Sequence, residues 1–181
     1  MALTRLGPNQ LVNLASNVTG TLPSGNLPAG SVLQVVTATG STQLSTTSAT
    51  YQDLSGMTLN ITPSSTSSKI LLTHQFSYIF ASSAAAGFGA YILRTVGGSD
   101  TIIQGQTSAQ LYVNYKGSGD QFQSVWNEQL YDTPSTTSEI TYKTQVATYS
   151  GSTVRFNFDS IYNGRITAME IAGWLLKQYL K

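Results

Sequence analysis

The sequence predicts an all-β fold, an antiparallel β-sandwich of jelly-roll type. Three observations predict it. Short runs alternate apolar and polar residues with the period of a strand. Glycine, proline and Asn-Gly signals separate these runs at regular intervals. No helical pattern of useful length is present. About nine or ten runs of this kind make a sandwich or a barrel. At 181 residues the chain fits one domain plus an extension, and it buries a core without needing disulfides.

Residues 1–30 differ from the rest. They hold Pro8, Pro23 and Pro28 out of 5 prolines, and "GTLPSGNLPAG" repeats one short phrase. Proline pushes the residue before it toward extended geometry, and glycine admits positive φ. Such a segment forms no core of its own. Leu11, Leu14, Leu22 and Leu27 therefore need a partner surface, and residues 1–30 read as an extended docking arm.

From Ser31 to Gly173 the pattern is that of a β-sandwich head. "SVLQVVTAT" is rich in β-branched residues, and "TLNIT" alternates. In "KILLTHQFSYIF", Ile70, Leu72, His74, Phe76, Tyr78 and Phe80 share one face. Phe122, Trp126 and Leu130 share another, as do Ile140, Tyr142 and Val146. Val154, Phe156 and Phe158 are grouped in the same way, and "RITAMEIAG" is apolar on both sides, as in a central strand. Turns are expected at "VGGSD", "KGSGD", "YSGST" and "YNGR", with Asn163-Gly164 a strong tight-turn signal between strands. Residues 174–181, "WLLKQYLK", form a separate tail, too short to hold a helix alone.

Two connections are spelled almost identically, "TPSSTSSKI" from Thr62 and "TPSTTSEI" from Thr133. Proline fixes φ and removes a ladder donor, so Thr-Pro-Ser starts a turn. The two phrases read as strand-to-strand crossings at the same end of the sandwich.

Charge narrows the function. Charged residues make up 9% of the chain and the net charge is +1. Nucleic-acid binding needs a basic stripe, and scattered Lys and Arg do not form one. No apolar run is long enough for a transmembrane helix, so no membrane insertion is expected. Ser and Thr supply 47 residues and Tyr 10, a surface suited to a particle exterior or to neutral polar ligands such as glycans.

Catalytic, cofactor and metal sites are all expected to be absent. Cys is missing and His74 is the lone histidine. His74 lies on the apolar face of its run without triad spacing, which marks a core or interface residue. The 8 carboxylates are scattered. A glycosidase pair from acids distant in sequence stays open, but the chain is small for a depolymerase. Phosphate-loop motifs are missing too: "GFGAYI" and "GSGD" lack the lysine. Tyr112, Tyr115, Tyr149 and Tyr162, near turns, are the candidate ligand-binding residues, with cross-strand aromatic packing as their alternative role.

"LPAGSVLQVV", "STTSATYQDLSGMTLNITPSSTSSKILL", "DTPSTTSEITYK" and "RITAMEIAG" together resemble short virion proteins of tailed bacteriophages, of the tail-fibre or structural-protein type. The resemblance runs from Leu27 to Gly173. Residues 82–119 have no counterpart in it, and "WLLKQYLK" extends past the point where many relatives stop. It implies a β-sandwich head that forms a homotrimer, with an N-terminal segment joining it to the particle. The expected role is a tail-fibre or receptor-binding head on the virion surface, made in the host cytoplasm. Its implied partners are copies of itself, a baseplate, tail or major capsid protein, and a host-surface glycan. The alternative is a capsid decoration protein gripping the outside of the shell.

Overall fold

The structure, a computed structural model, describes residues 27–80, 87–104, 122–149, 153–158 and 163–173. Within them lie β1 (Val32–Gly40), β2 (Leu44–Thr46), β3 (Gln52–Ile61), β4 (Lys69–Phe80) and β5 (Gly87–Val96). The series continues with β6 (Ser99–Gln104), β7 (Phe122–Asp132), β8 (Ile140–Tyr149), β9 (Val154–Phe156) and β10 (Gly164–Ile171). No helix occurs among the described residues.

The strands form two antiparallel sheets. In the first, β4 gives its whole length to β7 on one edge, from Ile70↔Asp132 to Phe80↔Phe122. Its other edge is shared, first by β10 (Lys69–Gln75) and then by β9 (Tyr78–Phe80). β1 lies outside β10, and β2 lies outside β9. Thus β1 and β2 occupy one position in the sheet, and β9 and β10 occupy the next. The second sheet runs β3-β8-β5-β6.

Counted this way, there are eight strand positions, four to a sheet. In chain order the first sheet runs first, eighth, third, sixth, and the second runs second, seventh, fourth, fifth. Four of the six sheet-to-sheet crossings join matching positions in the two orders, while the crossings from β3 to β4 and from β7 to β8 join positions two apart. That is the doubled Greek key of a jelly roll, as the sequence predicted.

The predicted apolar faces meet between the sheets. Ile70, Leu72, Phe76 and Phe80 from β4 oppose Ile140, Tyr142 and Val146 from β8, all nearly without exposed surface. Aromatic rings fill the middle: Phe88 meets Phe156 edge-on at 5.3 Å and Phe76 at 5.9 Å. Edge-to-face packing of this kind adds about 0.5–1.5 kcal/mol per pair to the gain from burial.

Both Thr-Pro-Ser crossings do lie at one end. β3 finishes at Ile61, paired with Ile140 at the start of β8. Ile70, at the start of β4, pairs with Asp132 at the end of β7. The Gly97-Gly98 turn between β5 and β6 also forms as read, with φ of 56° and 81°.

Two expectations need correction. Asn163-Gly164 does not close a hairpin, because β9 and β10 do not pair with each other; they follow one another along the same edge of β4. Nor does Phe158 continue the face of Val154 and Phe156. Asn157 takes φ of 49° and ends the strand, and Phe158 is turned to a shallow cleft beside Ser77 and Val125.

The reason for Gly164 is steric. A Cβ there would sit 2.7 Å from both Asn157 Oδ1 and Met57 Sδ. Gly40, its cross-strand partner, is pressed against the Ser55 carbonyl, and a Cβ on Gly56 would lie 2.6 Å from Gly40 Cα. Three glycines let the end of β1, the bulge of β3 and the start of β10 touch backbone to backbone.

Candidate functional site

Register alone builds the outer face of the first sheet. Reading across β1, β10, β4 and β7, one row is Val35, Met169, Leu71 and Tyr131. The next is Thr37, Thr167, Thr73 and Gln129, and the third is Thr39, Arg165, Gln75 and Asn127. Side chains alternate across a strand, so each row presents one chemistry to one face. The first row is an apolar band, with Val35 55% and Tyr131 56% exposed. The other two are hydroxyls, amides and a single guanidinium.

Over those polar rows lies a groove of about 480 Å³. Thr73 and Thr167 form its floor, Thr167 being 9% exposed and hydrogen-bonded to Thr37 at 3.1 Å. Gln75, Asn127, Gln129 and Arg165 stand around it, all exposed. A second depression of about 250 Å³ adjoins it and shares Gln75 and Arg165. No carboxylate lines either one among the described residues.

Two acidic side chains of this sheet, Glu170 and Asp132, point the other way, into the core. On the inner row Gln34, Glu170, Ile70 and Asp132, the two carboxylates flank Ile70. Glu170 has no exposed surface. It accepts from Gln34 Nε2 at 2.7 Å, from Ser64 N and Oγ at 2.7 Å, and from Ser68 Oγ at 2.6 Å. Burial works against its charge, but these hydrogen bonds outweigh it and hold the carboxyl below its ordinary range.

Asp132 secures the second crossing. It accepts from the Thr133 amide at 2.8 Å, from Arg94 Nη1 at 2.8 Å and from the Tyr142 hydroxyl at 2.6 Å. Arg94 and Tyr142 belong to the opposite sheet, so this carboxylate ties the layers together. Burial, and then Asp132 itself, push the Tyr142 phenol far above its usual value. Each Thr-Pro-Ser phrase is thus held by a buried carboxylate. In the first, Ser64 and Ser68 supply the donors.

His74 has the look of a catalytic base until its surroundings are examined. Its Nε2 lies 3.2 Å from Glu128 Oε2, and its Nδ1 lies 3.4 Å from Thr144 Oγ1. Glu128 also accepts from Gln104 Nε2. A hydroxyl, an imidazole and a carboxylate in line form the outline of a triad. However, His74 is 1% exposed and Thr144 not at all, so no substrate can reach the hydroxyl. Burial, only partly countered by Glu128, depresses the His74 pKa and keeps the ring neutral. The trio is a polar bridge between the sheets. Among the described residues no cluster of acids and histidine could hold a metal ion.

Of the residues singled out in the sequence, Leu27 is half-buried just before β1. There the Gly30 amide donates to Ala172 O at 2.9 Å, and Ala172 N donates to Ser31 O at 2.8 Å, so both ends of the head meet at one corner. Leu11, Leu14, Leu22, Tyr112, Tyr115 and Tyr162 lie outside the described residues. Tyr149 is the last residue of β8, paired with Gly87. Sequence reasoning missed the groove, since Thr73, Asn127 and Arg165 come from three distant strands and share no local motif.

The strand pairing defines the class of protein, a single jelly-roll domain. No protein-family model matches the chain, and no curated protein matches it either. Among solved structures it is similar to one of infectious bursal disease virus, Gx strain, with a TM-score of 0.44, 12% identity and 97% of this chain covered. A structure of the Gt strain gives a TM-score of 0.41 at 15% identity over 77% of this chain. A viral particle of the same virus gives 0.43 at 14% identity over 91%. This chain spans 38–42% of the length of these solved chains.

Proposed function

We propose that the chain is a bacteriophage virion structural protein, a trimeric tail-fibre or receptor-binding head joined to the particle through residues 1–30. The observation that carries this reading is the resemblance of residues 27–173 to short phage virion proteins, on a jelly-roll frame that suits such a head. Fold alone does not assign function, and three surface features add support. Both ends of the head leave from one corner, which suits tethering by a terminal arm. The band of Val35, Met169, Leu71 and Tyr131 offers an apolar surface to a second copy. The rest of that face is hydroxyls and amides with the one guanidinium of Arg165, which suits contact with a polar host surface. Leu11, Leu14, Leu22 and Leu27 are the proposed docking residues, and Tyr112, Tyr115, Tyr149 and Tyr162 remain proposed ligand contacts.

Meeting of the ends at one corner also favours a second reading, a capsid decoration protein that grips the shell at that corner. No chemical step is proposed in either case. The test is incorporation. Particles made without the protein are mixed with the full chain or with a chain lacking Met1–Ala29. The full chain should bind and the shortened one should stay free while keeping the same melting transition. Equal binding of both would remove the arm from the account.

A further inference from the structure

We propose that the groove over β4, β7 and β10 is a binding site for a saccharide bearing a carboxylate, with Arg165 receiving the acid group. This deepens the receptor-binding reading and rests on it for its biological setting.

The chemistry of the lining selects the ligand. Arg165 is exposed at the join of the two depressions, and no acidic side chain lines them among the described residues. An anion is therefore favoured, and a guanidinium matches a carboxylate through two parallel N–H donors. One cation is too few for a nucleic-acid backbone, which needs several. Gln75, Asn127 and Gln129 carry both donors and acceptors on exposed side chains, and these side chains make no hydrogen bond to one another or to other described residues. These amides, with the Thr73 hydroxyl, match the vicinal hydroxyls of a sugar, which donate and accept in turn. Met169 at one end and Val125, 52% exposed, at the other supply apolar patches for the C–H faces of the rings.

Size agrees as well. About 480 Å³ lies within the range of small-ligand sites. The adjoining 250 Å³ extends the trough along the strands, so a chain of two or more sugars fits better than one. The groove sits beside the apolar band that the proposed trimer would cover, which places it at the rim of that interface, still open to solvent.

The experiment uses the isolated full chain and two probes, 3′-sialyllactose and digalacturonic acid, with lactose as the neutral control. Backbone amide shifts are followed by NMR during titration. Saturable shifts at Thr73, Gln75, Asn127 and Thr167 with either acidic probe, and weaker ones with lactose, are expected. The probe that saturates first separates a terminal sialic acid from a uronic acid chain. Arg165→Gln, at an exposed position, should keep its melting temperature and bind the acidic probe about tenfold more weakly. Asn127→Asp, which adds a like charge, should weaken the acidic probe and spare lactose.

Three results would overturn the proposal: no saturable shift with either acidic probe on folded protein, shifts confined to another face, or groove amides shielded by a second copy. Lactose binding as tightly as the acidic probes would overturn the role of Arg165. Because binding is measured on the isolated chain, its failure leaves incorporation into particles untouched. Failed incorporation likewise leaves the groove untouched.

Discussion

Glu170 shows what one buried charge does in a chain with few of them. Its carboxylate is held by four donors, three of them from the Ser64–Ser68 crossing. Hydrogen bonds to a charged group contribute about 1.5–3 kcal/mol. Glu170→Gln keeps the shape and loses the charge, so it should lower unfolding free energy by about 2 kcal/mol. The pH dependence has a definite sign. The folded pKa is depressed, so the stabilisation is present above about 4.3 and is lost as pH falls through the folded value. The gap between wild type and Glu170→Gln in urea unfolding should be full at pH 6 and shrink in acid. A gap that stays constant down to pH 3 would mean that the latch carries no charge.

His74 acts in a different window. Its folded pKa is also depressed, by burial. The unfolded chain takes up a proton near pH 6.5 and the folded chain does not. Wild-type stability is therefore full above about pH 6.5 and declines below it. His74→Gln should cost roughly 1–3 kcal/mol at pH 8, and the cost should diminish on acidification toward pH 5. Melting curves at several pH values read this directly, and a cost that grows in acid would contradict it.

At the scale of elements, the fold depends on where strands stop. β1 and β2, and likewise β9 and β10, break at the knot where Gly40 and Gly164 pack on Asn157 and Met57 and Gly56 packs on Gly40. Gly164→Ala drives a methyl group into Met57 and Asn157, and overpacking of this kind costs typically 1–3 kcal/mol. Gly97→Ala meets open space, so its cost, about 1–2 kcal/mol, comes from positive φ alone. Thermal unfolding of the two variants should rank them in that order. The reverse order would show that the knot relaxes freely.

The same contrast explains what the sequence made legible. Alternation in β4 was readable because one face is core along its whole length, from Ile70 to Phe80. The Thr-Pro-Ser crossings were readable because proline acts on its own neighbours. Asn163-Gly164 misled because glycine marks either a turn or a close approach, and only the packing tells which. The row of Arg165, Gln75 and Asn127 was not readable at all, since cross-strand register brings it together. Glu170 as the partner of Ser64 was hidden for the same reason.

At the scale of the whole molecule, the proposed head is a surface unit that associates with itself and with a particle. If the proposed trimer forms through the apolar band, it depends on Tyr131. Sedimentation at micromolar concentration should give a trimer for wild type, and Tyr131→Asp should sediment as a folded monomer. A stable wild-type monomer would contradict the assembly. Most direct of all for the proposed virion role is the number of copies in purified virus particles, counted by quantitative mass spectrometry against the major capsid protein. A fibre head predicts a few dozen copies per particle, in multiples of three. Hundreds would replace the fibre with shell decoration, and a protein absent from washed particles would contradict a virion role altogether.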